Sequence, residues 1–178
     1  MSLTKIDYKN ALKQAIYEND LDVIFEPNDT YYLIRNNESI ISTQLLISSK
    51  INIARHGSHN GNETHGIGVF KFDLPIQDIK PDYFVMAFEN TKKGSAEFVI
   101  IGYDDLVQRL MKRNRLKENN AEVWLWLMPE NKVYDCTNIS IEDEWHFISN
   151  GAGSRMADGT DMDYSGYLNN WNELNQQL

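Results

Sequence analysis

The chain has 178 residues, which suits a single compact domain over residues 1–178. Apolar side chains make up 42% and aromatics 11%, enough for a core, and no stretch approaches the roughly 20 apolar residues that cross a bilayer. A net charge of −9 argues against a general nucleic-acid coat but leaves room for a local basic face, and a lone cysteine, Cys136, excludes a disulfide framework.

The first residues carry no apolar h-region, so no secretory signal is read there. With the single cysteine, this points to a cytoplasmic, reducing environment, where Cys136 packs as a small buried hydrophobe. TKIDYKNALKQAIYEND predicts a helix, with Thr4 as N-cap and Asp7 completing a capping box. LDVIFE and TYYLIRN predict strands, with turns at Pro27–Asn28–Asp29 and Asn36–Asn37–Glu38. SIISTQLLISSKINI is a long β-capable segment. GVFKFDL alternates, DYFVMAFE is the most apolar strand, and AEFVIIG is a further buried strand.

Asp104 is the predicted cap of a helix over DDLVQRLMKRNRLKEN. VWLWLMP and NKVYDCT predict strands paired around Pro129–Glu130–Asn131, and YLNNWNELNQQL predicts a closing helix. Helix, sequential strands, helix, strands and helix make an α+β layout: a central mixed or antiparallel sheet flanked by helices.

Three groups of residues carry candidate chemistry. RHGSHNGNETHG places His56, His59 and His65 within one polar segment. Imidazoles there offer a weak transition-metal site, and with it a metal-dependent hydrolase reading; Gly57 and Gly61 favour a polar loop instead. RLMKRNRLK, residues 109–117, holds five of the 17 basic residues. Arg109, Lys112, Arg113 and Arg115 are the candidate phosphate contacts, with Lys92 and Lys93 as an extension of that face; a solvated helix face is the plain alternative. Asp158, Asp161 and Asp163 supply oxygen ligands but lack the spacing and terminal Glu of a calcium loop. No Gly-x-Ser-x-Gly, Walker loop or His-Glu-x-x-His is present.

TQLLISSK (43–50), VFKFDL (69–74), KPDYFVMAFE (80–89), AEFVIIGYDDL (96–106) and YLNNW (167–171) together resemble the PD-(D/E)XK, or restriction-endonuclease-like, superfamily, and in particular its small bacterial members. The resemblance implies a restriction-endonuclease-like sheet and nuclease-like binding or processing of DNA. It also implies an acid and a Glu or Gln holding Mg²⁺, with a lysine two residues beyond the latter. Asp29, Gln44 and Lys50 are the candidates for those roles. Leu46 stands where that lysine belongs, and Lys50 lies about 20 Å from Gln44 along a straight strand, so the expected site is degenerate. Asp82 and Glu89 offer a second pair of acids. An acidic, immunity-like protein-interaction module, using Tyr164, Tyr167 and Trp171 as exposed aromatics, is the competing expectation.

Overall fold

Thr4 and Asp7 exchange bonds at the start of helix α1 (Lys5–Glu18). The Asp7 carboxylate accepts from Thr4 N at 2.7 Å, and Thr4 Oγ1 accepts from Asp7 N at 3.3 Å. That is the predicted capping box, worth about 1 kcal/mol. It also holds the Asp7 carboxyl below its ordinary value, through the Thr4 hydroxyl first and the Thr4 amide second. Tyr8, Leu12 and Ile16 are buried at four-residue spacing, so α1 lays one narrow apolar stripe on the sheet beneath it. The computed structural model describes residues 3–25, 31–35, 39–49, 64–74, 80–137 and 160–175.

Strands β1 (Asp22–Phe25), β2 (Tyr31–Arg35) and β3 (Ile40–Ile47) form an antiparallel meander. β3 then pairs in parallel with β5 (Tyr83–Asn90), and β5 pairs antiparallel with β6 (Ser95–Gly102). The sheet order is β1-β2-β3-β5-β6. The parallel pair requires a long crossover, and the chain makes it through a strand of a second sheet. That strand is β4 (Gly66–Asp73), which pairs antiparallel with β8 (Asn120–Met128). The other edge of β8 is shared by β7 (Leu116–Lys117) and β9 (Lys132–Asp135).

The α+β expectation therefore holds, with a mixed five-stranded sheet and a second antiparallel sheet. β5 is buried along nearly its whole length because both of its faces are covered. On one face, Ile41, Leu45, Val85 and Ile100 pack with the α1 stripe and with Trp171 and Leu174. On the other, Phe84, Met86 and Ile101 pack with Phe70, Val123 and Leu125 of the second sheet and with Leu106 and Leu110 of helix α2 (Tyr103–Lys112).

Glycines let the two sheets cross closely. A Cβ on Gly66 would collide with the Glu89 carbonyl oxygen, and one on Gly68 would sit 3.0 Å from Phe88 Cβ, both on β5. Gly-x-Gly inside a strand thus marks a close approach of backbone.

The basic helix is shorter than expected. Its N-cap is Gly102, without a side-chain cap, rather than Asp104, and it ends at Lys112. Asn114 takes the left-handed conformation at φ 52°, with Asn114 N bonded to Met111 O and Arg115 N to Leu110 O. This pair of bonds is a Schellman closure, and Asn is one of the few residues that tolerate its left-handed position. Leu116 and Lys117 then turn back against β8.

The closing segment is also less helical than expected: a 3₁₀ turn, Ser165–Tyr167, and a short helix α3 (Asn172–Asn175). Cys136 is buried as expected. Among the described residues, no helix is long and apolar enough to cross a membrane.

Candidate nucleic-acid interface

Of the residues expected to carry nuclease chemistry, Gln44 lies in β3, while Asp29 and Lys50 lie outside the described residues. Gln44 is paired with Phe84 and Leu46 with Met86 across the parallel β3–β5 ladder. Residue 46, two positions on and on the same face, therefore offers an aliphatic chain beside the interlayer core. Gln44 Oε1 is enclosed and has no donor among the described residues.

The second pair of acids does not converge. Asp82 accepts from Ser42 N at 2.7 Å and from Ser42 Oγ at 2.8 Å, while Glu89 accepts from Leu3 N at 3.3 Å. They stand at opposite ends of β5, about 23 Å apart along the strand.

His56 and His59 lie outside the described residues. His65 ties β8 to the β5–β6 turn through its backbone: its N–H donates to Leu127 O at 2.7 Å and its carbonyl accepts from Thr91 N at 2.7 Å. Among the described residues, no group of three or more His, Cys, Asp or Glu is placed to hold a metal ion.

The basic segment divides by what its donors reach. Arg109 donates to the Asp105 carboxylate at 3.2 Å, to the carbonyls of Asp161 and Asp163 at 3.2 and 2.9 Å, and to the Tyr167 hydroxyl at 3.0 Å. Its guanidinium also lies about 5 Å from the ring centres of Tyr164 and Tyr167. Burial works against its charge, but Tyr167, Asp105 and Tyr164 together raise its pKa further above the ordinary value. Tyr167 donates a short hydrogen bond to Asp105. Burial first, and that bond second, push the Tyr167 phenol up; burial does the same to Tyr164 more strongly.

Arg113 reaches Asp135, donating to Oδ2 at 2.6 Å and to the carbonyl at 2.8 Å. Asp135 is almost fully buried, and it also accepts from Thr137 N at 2.9 Å and from the Thr137 hydroxyl. Lys112 pairs with Asp161 at 3.2 Å on the surface.

Lys92 and Lys93 sit in the β5–β6 turn, at the opposite end of β6 from the start of α2. Their amides donate to Asn90 Oδ1, and Lys93 Nζ lies 3.4 Å from Glu97. They do not extend a basic helix face. The aromatics expected on the surface are also placed differently, because Tyr164 and Trp171 are buried.

Cations do converge at a cleft of about 390 Å³ at the polar end of β4 and β8. Lys71 and Asp73 enter from β4, Glu122 from β8, Arg115 from the turn after α2 and Lys117 from β7. Strand pairing assembles this lining: Lys71 lies opposite Glu122, and Lys117 opposite Asn120. Three cations against two carboxylates leave one net positive charge, on a chain whose total is −9.

Glu122 accepts from Trp124 Nε1 at 2.7 Å and lies 3.1 Å from Lys71 Nζ. Those two contacts, the indole bond foremost, hold its carboxyl below the ordinary value against a smaller opposing effect of burial. Arg115 donates from Nη2 to Thr137 O at 2.5 Å, while its Nε–H is enclosed without an acceptor among the described residues.

Of the basic segment 109–117 named from the sequence, Arg115 and Lys117 line this cleft, while Arg109, Lys112 and Arg113 do not. Lys71 was missed: it is a lone cation in an alternating strand, and only the β4–β8 ladder brings it to Arg115. No protein-family model, curated protein or solved structure matches the chain.

Proposed function

We propose that this chain is a nucleic-acid-binding protein of nuclease-like layout that contacts phosphate at the Lys71–Arg115–Lys117 cleft and does not cleave through Gln44. The observation that carries this reading is the cleft itself, a concave cationic site on an acidic chain. Phosphate neutralisation is the main source of sequence-independent affinity, and the cleft concentrates it where the rest of the surface opposes it. Leu46, standing in place of a catalytic lysine, supports binding without Mg²⁺-dependent cleavage at that position.

Titration of short labelled oligonucleotides, followed by fluorescence anisotropy at low salt, tests it. Saturable binding is expected. For a single strand it should weaken as salt rises, as release of phosphate counterions requires. Added Mg²⁺ should leave the oligonucleotide intact. No binding at low salt would end the proposal, and cleavage lost on changing Gln44 would restore the enzyme reading.

A further inference from the structure

We infer that the cleft is built around one phosphate group anchored by Arg115, and that its ligand is a nucleotide or the phosphorylated end of a single strand rather than a duplex backbone. This rests on the nucleic-acid reading above and narrows it.

The cleft, at about 390 Å³, is near the lower end of the range for small-ligand sites, enough for one nucleotide unit. The lining of the cleft is mixed in charge. A duplex presents dense negative charge, which Asp73 and Glu122 would repel. A single nucleotide instead combines one phosphate with neutral sugar and base donors. Arg115 and Lys117 suit the phosphate, and the two carboxylates suit hydroxyl or amino donors. Glu122 is fixed in its charged, accepting form by the Trp124 indole.

The Arg115 guanidinium is held at one edge by the Thr137 carbonyl, which sets the plane of the group. Its Nε–H has no acceptor among the described residues, although an enclosed donor on a charged group is costly to leave unmet. A guanidinium offers two parallel N–H donors to one phosphate. Arginine makes that two-point contact and lysine cannot.

The probes are a nucleoside monophosphate, the same nucleoside without phosphate, inorganic phosphate, a single strand with and without a 5′-phosphate, and a duplex. Affinities are measured by calorimetry, and the Arg115 Nε–H resonance is followed by ¹H–¹⁵N NMR. The monophosphate and the 5′-phosphorylated strand should bind better than their unphosphorylated forms, and each should shift that resonance. Comparing the two separates a free-nucleotide site from a strand-end site. R115K keeps the charge and should weaken monophosphate binding about tenfold or more. R35Q, a remote loss of one cation, should not weaken it, and melting curves confirm that both variants are folded. Equal affinity of R115K and wild type, or preference for the duplex, overturns this inference while leaving nucleic-acid binding intact. Absence of binding to every probe overturns both.

Discussion

Arg109 and Arg113 lie within six residues of Arg115, yet they do different work. The first two turn into the protein. Arg109 ties α2 to the carbonyls of Asp161 and Asp163 and to two tyrosines, and Arg113 holds Asp135 at the end of β9. Arg115, beyond the Asn114 closure, lines a cleft with Lys71 and Lys117. A dense basic run in sequence is therefore not a basic surface. Arg115 is tied to the Thr137 carbonyl through Nη2 and still borders the cleft, whereas Arg109 and Arg113 spend their donors on Asp105, Asp135 and the carbonyls of Asp161 and Asp163.

The strongest way to break this contrast is R113A. It would leave the Asp135 carboxylate buried without its cation, at a cost of about 3–5 kcal/mol. Denaturant unfolding should show a large loss of stability, and a loss under 1 kcal/mol would show that Arg113 is not a structural tie. R109A comes next. It removes charged hydrogen bonds to two carbonyls and to Asp105, and should cost about 2 kcal/mol while leaving the oligonucleotide affinity of the folded protein unchanged.

Alkaline pH should loosen the tyrosine side of the same region. The Tyr164 and Tyr167 phenols are raised by burial, and Tyr8 on the buried face of α1 is pushed up to about 12 by burial first and the Glu89 charge second. A phenol that keeps its proton longer when folded gives stability that is complete below pH 10. That stability is lost as pH rises above 10 and the unfolded chain ionises first. The slope is about 1.4 kcal/mol per pH unit for each such phenol. Melting temperature and phenolate absorbance, followed together from pH 8 upward, check this; a flat stability above pH 10 would contradict it. The smallest stability effects belong to the cleft and surface lysines. K71Q, K117Q and K112Q should each change stability by less than about 0.5 kcal/mol, and only the first two should weaken oligonucleotide binding.

Local chemistry was legible wherever neighbours in sequence are also neighbours in space. Thr4 and Asp7 announced the α1 cap, the alternation of Phe70, Phe72 and Leu74 announced a strand, and the Pro129–Asn131 turn announced the β8–β9 pairing. The α2 stop was legible too, in Asn114, but the continuous run of basic residues hid it. Long-range pairing was not legible. Nothing in the linear order places Lys71 beside Glu122 or Lys117, and nothing assigns Arg113 to Asp135 across 22 residues. The expected nuclease trio fares differently: Gln44 is placed beside apolar Phe84, while Asp29 and Lys50 lie outside the described residues.

The contrast between structural arginines and a binding cleft meets its most direct test in one comparison, the low-salt affinity of a labelled single-stranded oligonucleotide for K71E/K117E and for K112E/K92E. The charge change is the same in both variants. Loss of binding in the first, with near wild-type affinity in the second, is the expected result. Retained binding in the first and loss in the second would place the interface on α2 and the β5–β6 turn and contradict the account.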